Sequence, residues 1–171
     1  MGLLLPVWHW SRSKMLKLHN SYSNNVEEFR PDSSSVKVYL CGPTVQSSPH
    51  IGHGRSAVVF DFLIRYLKFS NYQVTFVRNI TDIEDKIIQR SEEEGITTEE
   101  LADRVTKEFQ KSYADLNCLL PNHEPKATDT IDHIIYLIEL LIDKGYAYST
   151  KSGVYFEVGT FENYLNLSGR K

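Results

Sequence analysis

The sequence predicts an α/β fold in which a strand–helix–strand unit builds a parallel sheet. Residues 36–40 and 73–79 are rich in β-branched and aromatic side chains, and a long apolar segment, 54–69, separates them. This order places the two strands side by side and parallel, because the helix carries the chain back across the sheet. In such sheets ligands gather at the carboxyl ends of the strands.

Each element of this fold has its own signal. Residues 16–18 alternate and can pair with residues 26–29 as a short hairpin, and residues 31–35 are rich in turn formers. Apolar side chains between residues 54 and 69 occupy two adjacent helical rows, which predicts a helix that is buried on much of its surface. Asn71 is a stop signal for this helix.

Two capping signatures predict further helices after the second strand. Thr81 and Glu84 fit a capping box, which predicts a helix to about residue 93. Thr97 and Glu100 repeat the signature and predict a helix to about residue 116.

The last part of the chain predicts one more helix and a hairpin. An apolar stripe marks a helix over residues 129–144, and Gly145 suits the left-handed position after its end. Residues 146–148 and 154–158 then predict the two strands of a hairpin.

Composition limits the class of protein. Of 171 residues, 41% are hydrophobic and 24% are charged, and 19 basic against 22 acidic residues give a formal net charge of -3. This balance predicts a soluble globular chain, and it does not point to a nucleic-acid binder by charge alone. No apolar stretch is long enough to cross a membrane, so no membrane partner is expected. Only two cysteines are present, which predicts a reducing compartment such as the cytoplasm. Residues 1–14 differ in character and are expected to be a disordered extension.

Two histidines, His50 and His53, lie where the first strand is predicted to pass into its helix. A helix N-terminus offers unpaired N–H groups and the positive end of the helix dipole. The imidazole rings add further donors, and Gly52 lets a ligand approach the backbone closely. The sequence therefore predicts a phosphate site. Residues 79–82 follow the second parallel strand, so both loops are expected at one edge of the sheet.

Cys41 ends the first predicted strand and has two interpretations. A free cysteine is most often a small buried packing residue, and the residue by itself favours that interpretation. The alternative is a metal ligand or a nucleophile at the strand tip. His50 and His53 do not complete a recognised closed zinc pattern with Cys41, so the residues alone leave both interpretations open.

Three blocks of the sequence, taken in order, closely resemble cysteinyl-tRNA synthetases. Two shorter segments are also similar to that family, and the resemblance runs from about Met15 to the last residue. The blocks are CGPTV from Cys41, PHIGHGRS from Pro49 and FVRNITDIEDK from Phe76, and the shorter segments are EPKAT from Glu124 and LSGR from Leu167.

The resemblance implies a Rossmann-like class I synthetase fold of which this chain is the N-terminal part. Residues 15–118 would form the first half of the catalytic domain, and residues 119–171 would begin the inserted connective region. The second half of the nucleotide fold, its lysine-bearing signature loop and the anticodon-binding region of the family have no counterpart in these 171 residues. We therefore expect an N-terminal fragment that is inactive alone.

The activity that the resemblance implies is the ATP-dependent joining of L-cysteine to tRNA(Cys) through cysteinyl-adenylate. His50 and His53 would contact the phosphates of ATP, which Mg²⁺ accompanies, and would stabilise charge at the α-phosphorus. Cys41 would be one ligand of a Zn²⁺ ion that selects the thiolate of cysteine over the hydroxyl of serine. The other zinc ligands of the family are absent from this chain, and the parent enzyme is expected to be a monomer.

The resemblance also implies a set of pocket residues. The cysteine-binding positions are Gly42, Thr44, Asn79 and Thr81, and the ATP- and adenylate-binding positions are Pro43, Thr44, His50, Gly52, His53 and Ser56. Two alternatives stay open. One is the ligase that joins cysteine to an aminosugar in mycothiol synthesis, which shares the zinc cysteine and the histidine signature. The other is a non-catalytic module that holds a nucleotide or a partner without turnover.

Overall fold

The computed structural model of this chain describes residues 16–169. These residues divide into two units. One is Pro31–Phe156, and the other combines the described residues before and after it. The extension predicted at residues 1–14 lies outside the described residues.

The smaller unit contains the predicted N-terminal hairpin. β1 (Lys17–Asn20) pairs antiparallel with β2 (Asn25–Glu28). Asn24, in the turn between them, has a φ of 55°, a left-handed conformation that asparagine tolerates better than most residues. A 3₁₀ turn at Val158–Thr160 belongs to the same unit.

The larger unit is built on a parallel sheet. β3 (Ser35–Leu40) and β4 (Gln73–Arg78) pair in parallel, with Val38 opposite Phe76. The connection between them is α1 (Ile51–Phe69), which contacts β4. The strand–helix–strand unit predicted from the sequence is therefore confirmed.

The sheet continues into a third segment that the sequence analysis missed. Residues 122–127 run parallel to the end of β4 and its continuation. Arg78 donates its backbone N–H to the carbonyl of His123 at 3.1 Å, and Ile80 donates to the carbonyl of Pro125 at 2.9 Å. The segment gave no strand signal because its sequence, NHEPKA, contains a proline and no valine, isoleucine or threonine. The domain boundary expected between residues 118 and 119 stays a prediction.

α2 (Asp85–Glu94) and α3 (Thr98–Asp115) connect β4 to this segment. α3 begins with the predicted capping box. The Thr97 hydroxyl accepts the N–H of Glu100 at 3.1 Å, and the Glu100 carboxylate accepts the N–H of Thr97 at 2.9 Å. Both partners of the box are thus satisfied within the first turn.

The capping box predicted at Thr81 and Glu84 is wrong. Glu84 is itself the N-cap of α2, and its side chain accepts the N–H of Lys86 at 2.9 Å. Thr81 instead pairs with Thr44 in a parallel bridge that prolongs the contact between the strand ends. Pairing across the sheet edge therefore overrides the local capping signal.

The main core of the larger unit joins α1, α2, α3 and the loop after β3. Full burial of one large apolar side chain in such a core stabilises the fold by about 1.5–3 kcal/mol relative to leaving it exposed. A second, smaller cluster lies between the sheet and α1 and contains Leu40, Ile64 and Phe76. The buried residues of the main core are Val45, Ala57, Ile80, Ile87, Leu101, Ala102, Val105, Phe109 and Tyr113.

α1 and α4 (Ile131–Asp143) are less buried than their sequence patterns predict. The buried residues of α1 are Ala57, Ile64 and Leu67, while Phe62 on the same helix is exposed. α4 follows a 3₁₀ turn and has no buried residue. An apolar stripe shows which face of a helix can pack, but the packing itself needs a partner within reach.

The end of the larger unit follows the prediction. Gly145 has a φ of 74°, as expected for the position after a helix, and β5 (Ala147–Thr150) pairs antiparallel with β6 (Gly153–Phe156). The loop between the strands is shorter than predicted, since only two residues join them. Within residues 16–169, no helix has both the length and the hydropathy needed to cross a bilayer.

Candidate functional site

The loop after β3 and the first turns of α1 border a cavity of about 290 Å³. The cavity collects side chains from the end of a parallel strand and the start of the following helix, as the fold predicts. Of the residues proposed for the site, those that line it are Cys41, Gly42, Pro43, Thr44, His50, His53 and Ser56.

His50 and His53 cap the N-terminus of α1 with their own side chains. Nδ1 of His50 accepts the N–H of Gly52 at 3.1 Å, and Nδ1 of His53 accepts the N–H of His50 at 3.2 Å. This is the reciprocal arrangement of a capping box, made by two imidazoles. The helix therefore begins at Ile51, three residues before the predicted start, because the histidines replace the usual capping side chains.

The capping bonds determine which ring nitrogen carries the proton in each histidine. A nitrogen that accepts an N–H bond is unprotonated, so the neutral form of both His50 and His53 carries its proton on Nε2. The two ring centroids are 3.9 Å apart. The pair can therefore present two Nε2–H donors at a helix N-terminus, which suits the oxygens of a phosphate.

The environment of His53 favours its neutral form. Burial lowers the pKa of His53, and the neighbouring His50 lowers it further. Both effects have the same sign, because a protonated ring would lose hydration and would be disfavoured by the adjacent imidazole of His50. At neutral pH His53 is therefore a hydrogen-bond donor without a full charge.

Asn79 and Thr81 support the cavity and do not belong to its lining. Gly42 donates its N–H to Oδ1 of Asn79 at 2.6 Å, and Nδ2 of Asn79 donates to the hydroxyl of Thr81 at 3.1 Å. A Cβ added at Gly42 would lie 1.5 Å from the carbonyl oxygen of Asn79. These contacts tie the loop after β3 to the end of β4, and only glycine fits at the crossing point.

Gly52 is likewise absent from the cavity lining. Its N–H group is bonded to the ring of His50, and a Cβ at this position would approach Cε1 of that ring to 2.9 Å. The structure therefore gives Gly52 a capping role in the first turn of α1.

Arg78 and Tyr113 line the cavity, and sequence reasoning missed both. Arg78 is 3% exposed, and its Nε and Nη2 donate to one oxygen of Glu124 at 3.0 and 2.7 Å. Its guanidinium lies 4.2 Å from the ring centre of Tyr113. Arg78 could have been identified from the sequence, because an arginine at the end of a buried strand is expected to be paired with an acidic group. Nothing in the sequence marks Tyr113, because only the packing of α3 brings it to the cavity.

Four further residues complete the lining of this cavity. They lie on β3, in the loop that follows it and on α1, close to predicted site residues in the sequence. They are Leu40, Gln46, Ser47 and Ala57.

Cys41 is an exposed free thiol at the end of β3, so its interpretation as a buried packing residue is wrong. Within residues 16–169, however, no group of three or more histidine, cysteine, aspartate or glutamate side chains could hold a metal ion. A protein zinc site has at least three protein ligands. The described residues therefore do not fit Zn²⁺ by themselves, and the implied zinc role of Cys41 stays a prediction.

A second cavity, of about 430 Å³, lies between α2, α3 and residues 126–129. Neighbouring groups hold two of its acidic side chains. Asp82 is buried and accepts the N–H of Thr128 at 3.0 Å, and Asp103 accepts from Nζ of Lys126 at 2.7 Å. None of the predicted site residues lines this cavity, so the smaller cavity is the candidate site.

Comparison with known proteins identifies relatives of the chain. It is 51% identical over 156 residues to a cysteine–tRNA ligase of Rickettsia massiliae (strain Mtu5), and the aligned region covers 90% of this chain and 34% of that protein. It is 47% identical over 158 residues to a cysteine–tRNA ligase of Wolbachia pipientis subsp. Culex pipiens (strain wPip), with 92% and 34% covered. A cysteine–tRNA ligase of Maridesulfovibrio salexigens is 49% identical over 157 residues, with 91% and 32% covered.

The chain spans about a third of the length of these curated relatives. Residues 28–171 also match the family model described as "tRNA synthetases class I (C) catalytic domain". This match includes the parallel pair of strands, α1 and the candidate cavity. The resemblance inferred from the sequence blocks and the Rossmann-like fold class are thereby confirmed, and the chain belongs to the family of class I tRNA synthetase (C) catalytic domains.

Proposed function

We propose that this chain supplies the first part of the active site of a cysteine–tRNA ligase. In the proposed reaction, a carboxylate oxygen of L-cysteine attacks the α-phosphorus of ATP, whose bond to the bridging oxygen of the β-phosphate breaks. Cysteinyl-adenylate and pyrophosphate result. A ribose hydroxyl of tRNA(Cys) then takes the cysteinyl group and releases AMP. The complete reaction belongs to a longer protein, proposed here to be a cytoplasmic monomer that uses ATP with Mg²⁺.

One observation carries this proposal. A single cavity unites the thiol of Cys41 at the end of β3 with the rings of His50 and His53 at the start of α1. The Nε2–H groups of the two rings are the proposed donors to ATP phosphate oxygens, where negative charge develops as pyrophosphate leaves. The donors are preorganised, because the capping bonds already hold both rings in place.

The remaining pocket residues receive proposed roles that follow their positions. Pro43, Thr44 and Ser56 line the cavity and are proposed to contact the adenylate, and Thr44 also contacts cysteine. Gly42 allows the close crossing of the strand ends. Asn79 and Thr81 are proposed to act on cysteine binding through the backbone of that crossing.

Replacement of His53 in the longer ligase tests the proposed chemistry. We expect His53→Ala to lower the kcat of ATP–pyrophosphate exchange by about 100-fold, as the removal of one charge-stabilising donor does in other enzymes. The KM for ATP should change much less, because the donor acts mainly in the transition state. His133→Ala is the matched control, since His133 is an exposed histidine of α4 away from the cavity. Unchanged exchange in the His53 variant would contradict the assigned role.

The 171-residue chain alone is proposed not to charge tRNA(Cys). The measurement is aminoacylation by the purified chain beside the longer protein, and robust charging by the chain would contradict this part of the proposal.

An assay of the longer protein distinguishes the two ligase activities. Transfer of cysteine to an aminosugar in place of tRNA would identify the other ligase. Stoichiometric zinc in the chain that survives mild chelation would contradict the expectation that Cys41 alone binds it weakly.

A further inference from the structure

Four aromatic and imidazole rings follow one another from the start of α1 to the end of α3. The ring centroids of His50 and His53 are 3.9 Å apart, and those of His53 and Phe109 are 4.9 Å apart with an interplanar angle of 75°. Tyr113 lies beyond Phe109 at 5.8 Å. The edge-to-face contact of His53 with Phe109 is a geometry that aromatic pairs prefer. α3, which contributed no residue to the site predicted from the sequence, therefore contacts His53.

The α3 end of this row is held in place. Phe109 is 2% exposed and belongs to the main core, so its ring has little room to move. Tyr113 is buried beneath the guanidinium of Arg78, which is in turn paired with Glu124. Gln110 donates to the second carboxylate oxygen of Glu124 at 2.9 Å. The α3 end of the row of rings is therefore held in place by packing and by hydrogen bonds.

His53 is half-buried and is anchored to the backbone by one bond, between its Nδ1 and the N–H of His50. A side chain with one such bond near a solvent-lined cavity keeps access to other rotamers unless a neighbour excludes them. Phe109 occupies the space beside the ring. Its contact is therefore suited to keep His53 in the rotamer that accepts the His50 N–H and leaves Nε2–H available to a ligand.

We propose that Phe109 is a positioning residue that holds the ring of His53 in its donor orientation. Phe109 acts through His53 and does not belong to the cavity lining. The meaning of this orientation for catalysis rests on the proposed function, in which Nε2 of His53 donates to ATP. The orientation itself is a property of the unliganded chain and is measurable without substrate.

The test compares Phe109→Leu with Val105→Ala in the 171-residue chain. Leucine keeps apolar volume in the core but removes the ring edge. Val105 lies one turn earlier on α3 in the same core, so its truncation weakens packing at a site outside the row of rings. The readouts are the Hα–Hβ couplings of His53, which report its χ1 rotamer, and the cross-relaxation between the rings of His50 and His53.

We expect one dominant rotamer of His53 in the unmodified chain and in Val105→Ala, and averaged couplings in Phe109→Leu. Cross-relaxation between the two rings should fall severalfold in Phe109→Leu alone. Phe109→Met is a second variant with the same expectation, because a flexible thioether fills the space without a ring edge. A single retained rotamer in a folded Phe109 variant would overturn the proposal, and so would equal averaging in Val105→Ala. A parallel titration with ATP tests the proposed function separately, since the couplings are measured without ligand.

Discussion

α3 and α4 show opposite relations between sequence and burial. α3 is rich in charged residues, yet one face of it is almost completely inaccessible to solvent. α4 has the more apolar sequence, IDHIIYLIELLID, and none of its residues is buried. The buried residues of α3 are Leu101, Ala102, Val105, Thr106, Phe109 and Tyr113.

The difference shows that the apolar face of a helix is buried only where another element of the fold packs against it. α3 contacts α1 and α2, so its apolar stripe closes the main core. It reaches the site through Tyr113, which lines the cavity, and through Phe109, which contacts His53. α4 contacts β5 and the 3₁₀ turn before it, and Leu137 is exposed. Hydrophobic stabilisation depends on the area removed from water, so an apolar residue that stays exposed contributes little to it. Stability of the larger unit should therefore depend on α3 far more than on α4.

The largest expected effect contrasts truncations in the two helices. Phe109 is 2% exposed and Leu137 is 57% exposed. Phe109→Ala should lower the free energy of unfolding by about 3–5 kcal/mol, because it leaves a cavity in a close-packed core. Leu137→Ala should change it by no more than about 0.5 kcal/mol, the range of ordinary surface substitutions. Denaturant titrations followed by circular dichroism measure both.

Equal losses in these two variants would break the comparison, because they would show that α4 is packed in solution. Val58→Ala on the exposed side of α1 is the matched control for helix propensity at an exposed apolar position. It should behave like Leu137→Ala and not like Phe109→Ala.

The two cysteines provide a second contrast between an open and a packed position. Cys41 is exposed in the lining of the cavity, whereas Cys118 packs against the core that α3 closes. Burial raises the pKa of Cys118, and Asp61 nearby raises it further, so less of the reactive thiolate forms. Cys41 should react with an aromatic disulfide reagent at mildly alkaline pH at least about tenfold faster than Cys118.

Single replacements assign the two kinetic phases of this reaction. Cys118→Ser should remove the slow phase alone, and Cys41→Ser the fast phase alone. Loss of the fast phase in Cys118→Ser would mean that Cys118 is the accessible thiol and that the end of α3 is open.

The sequence was sufficient for the parts of the fold that depend on local pattern. The parallel strands, the cap at Thr97 and the left-handed Gly145 follow from side-chain periodicity and backbone preference. It was insufficient where distant segments compete for the same groups. Thr81 joins the strand ends instead of capping α2, and residues 122–127 extend the sheet despite a proline.

The residues of the candidate site likewise fall into those that local sequence pattern could predict and those that it could not. The position of the two histidines at the start of α1 was predictable, because they follow a strand end and open a helix. For Cys41 the residues alone favoured a buried packing role, and only the resemblance placed it in the site. The indirect positions of Asn79 and Gly52 were not, because hydrogen bonds within the fold already occupy their polar groups. Phe109 could not be found at all, since its contact with His53 exists only after α3 has packed.

The smallest expected effect concerns acid at the start of α3. Hydrogen bonds from Thr97, through its backbone and then its side chain, hold the pKa of Glu100 below its ordinary value of 4.5. A lowered pKa in the folded state means that the unfolded chain binds the proton more tightly. The stability from this carboxylate is therefore present above about pH 4.5 and is lost as the pH falls through the folded-state pKa.

Glu100→Gln should keep the capping box and remove this pH dependence, because an amide oxygen accepts the same bond without titrating. The measurement is the midpoint of thermal unfolding between pH 6 and pH 3, where the variant should lose a small part of the acid-induced decrease. Glu139→Gln on α4 is the matched control, since it removes an exposed carboxylate that caps no helix. If both variants change the pH profile equally, general charge repulsion governs the acid response and the cap of α3 has no specific part in it.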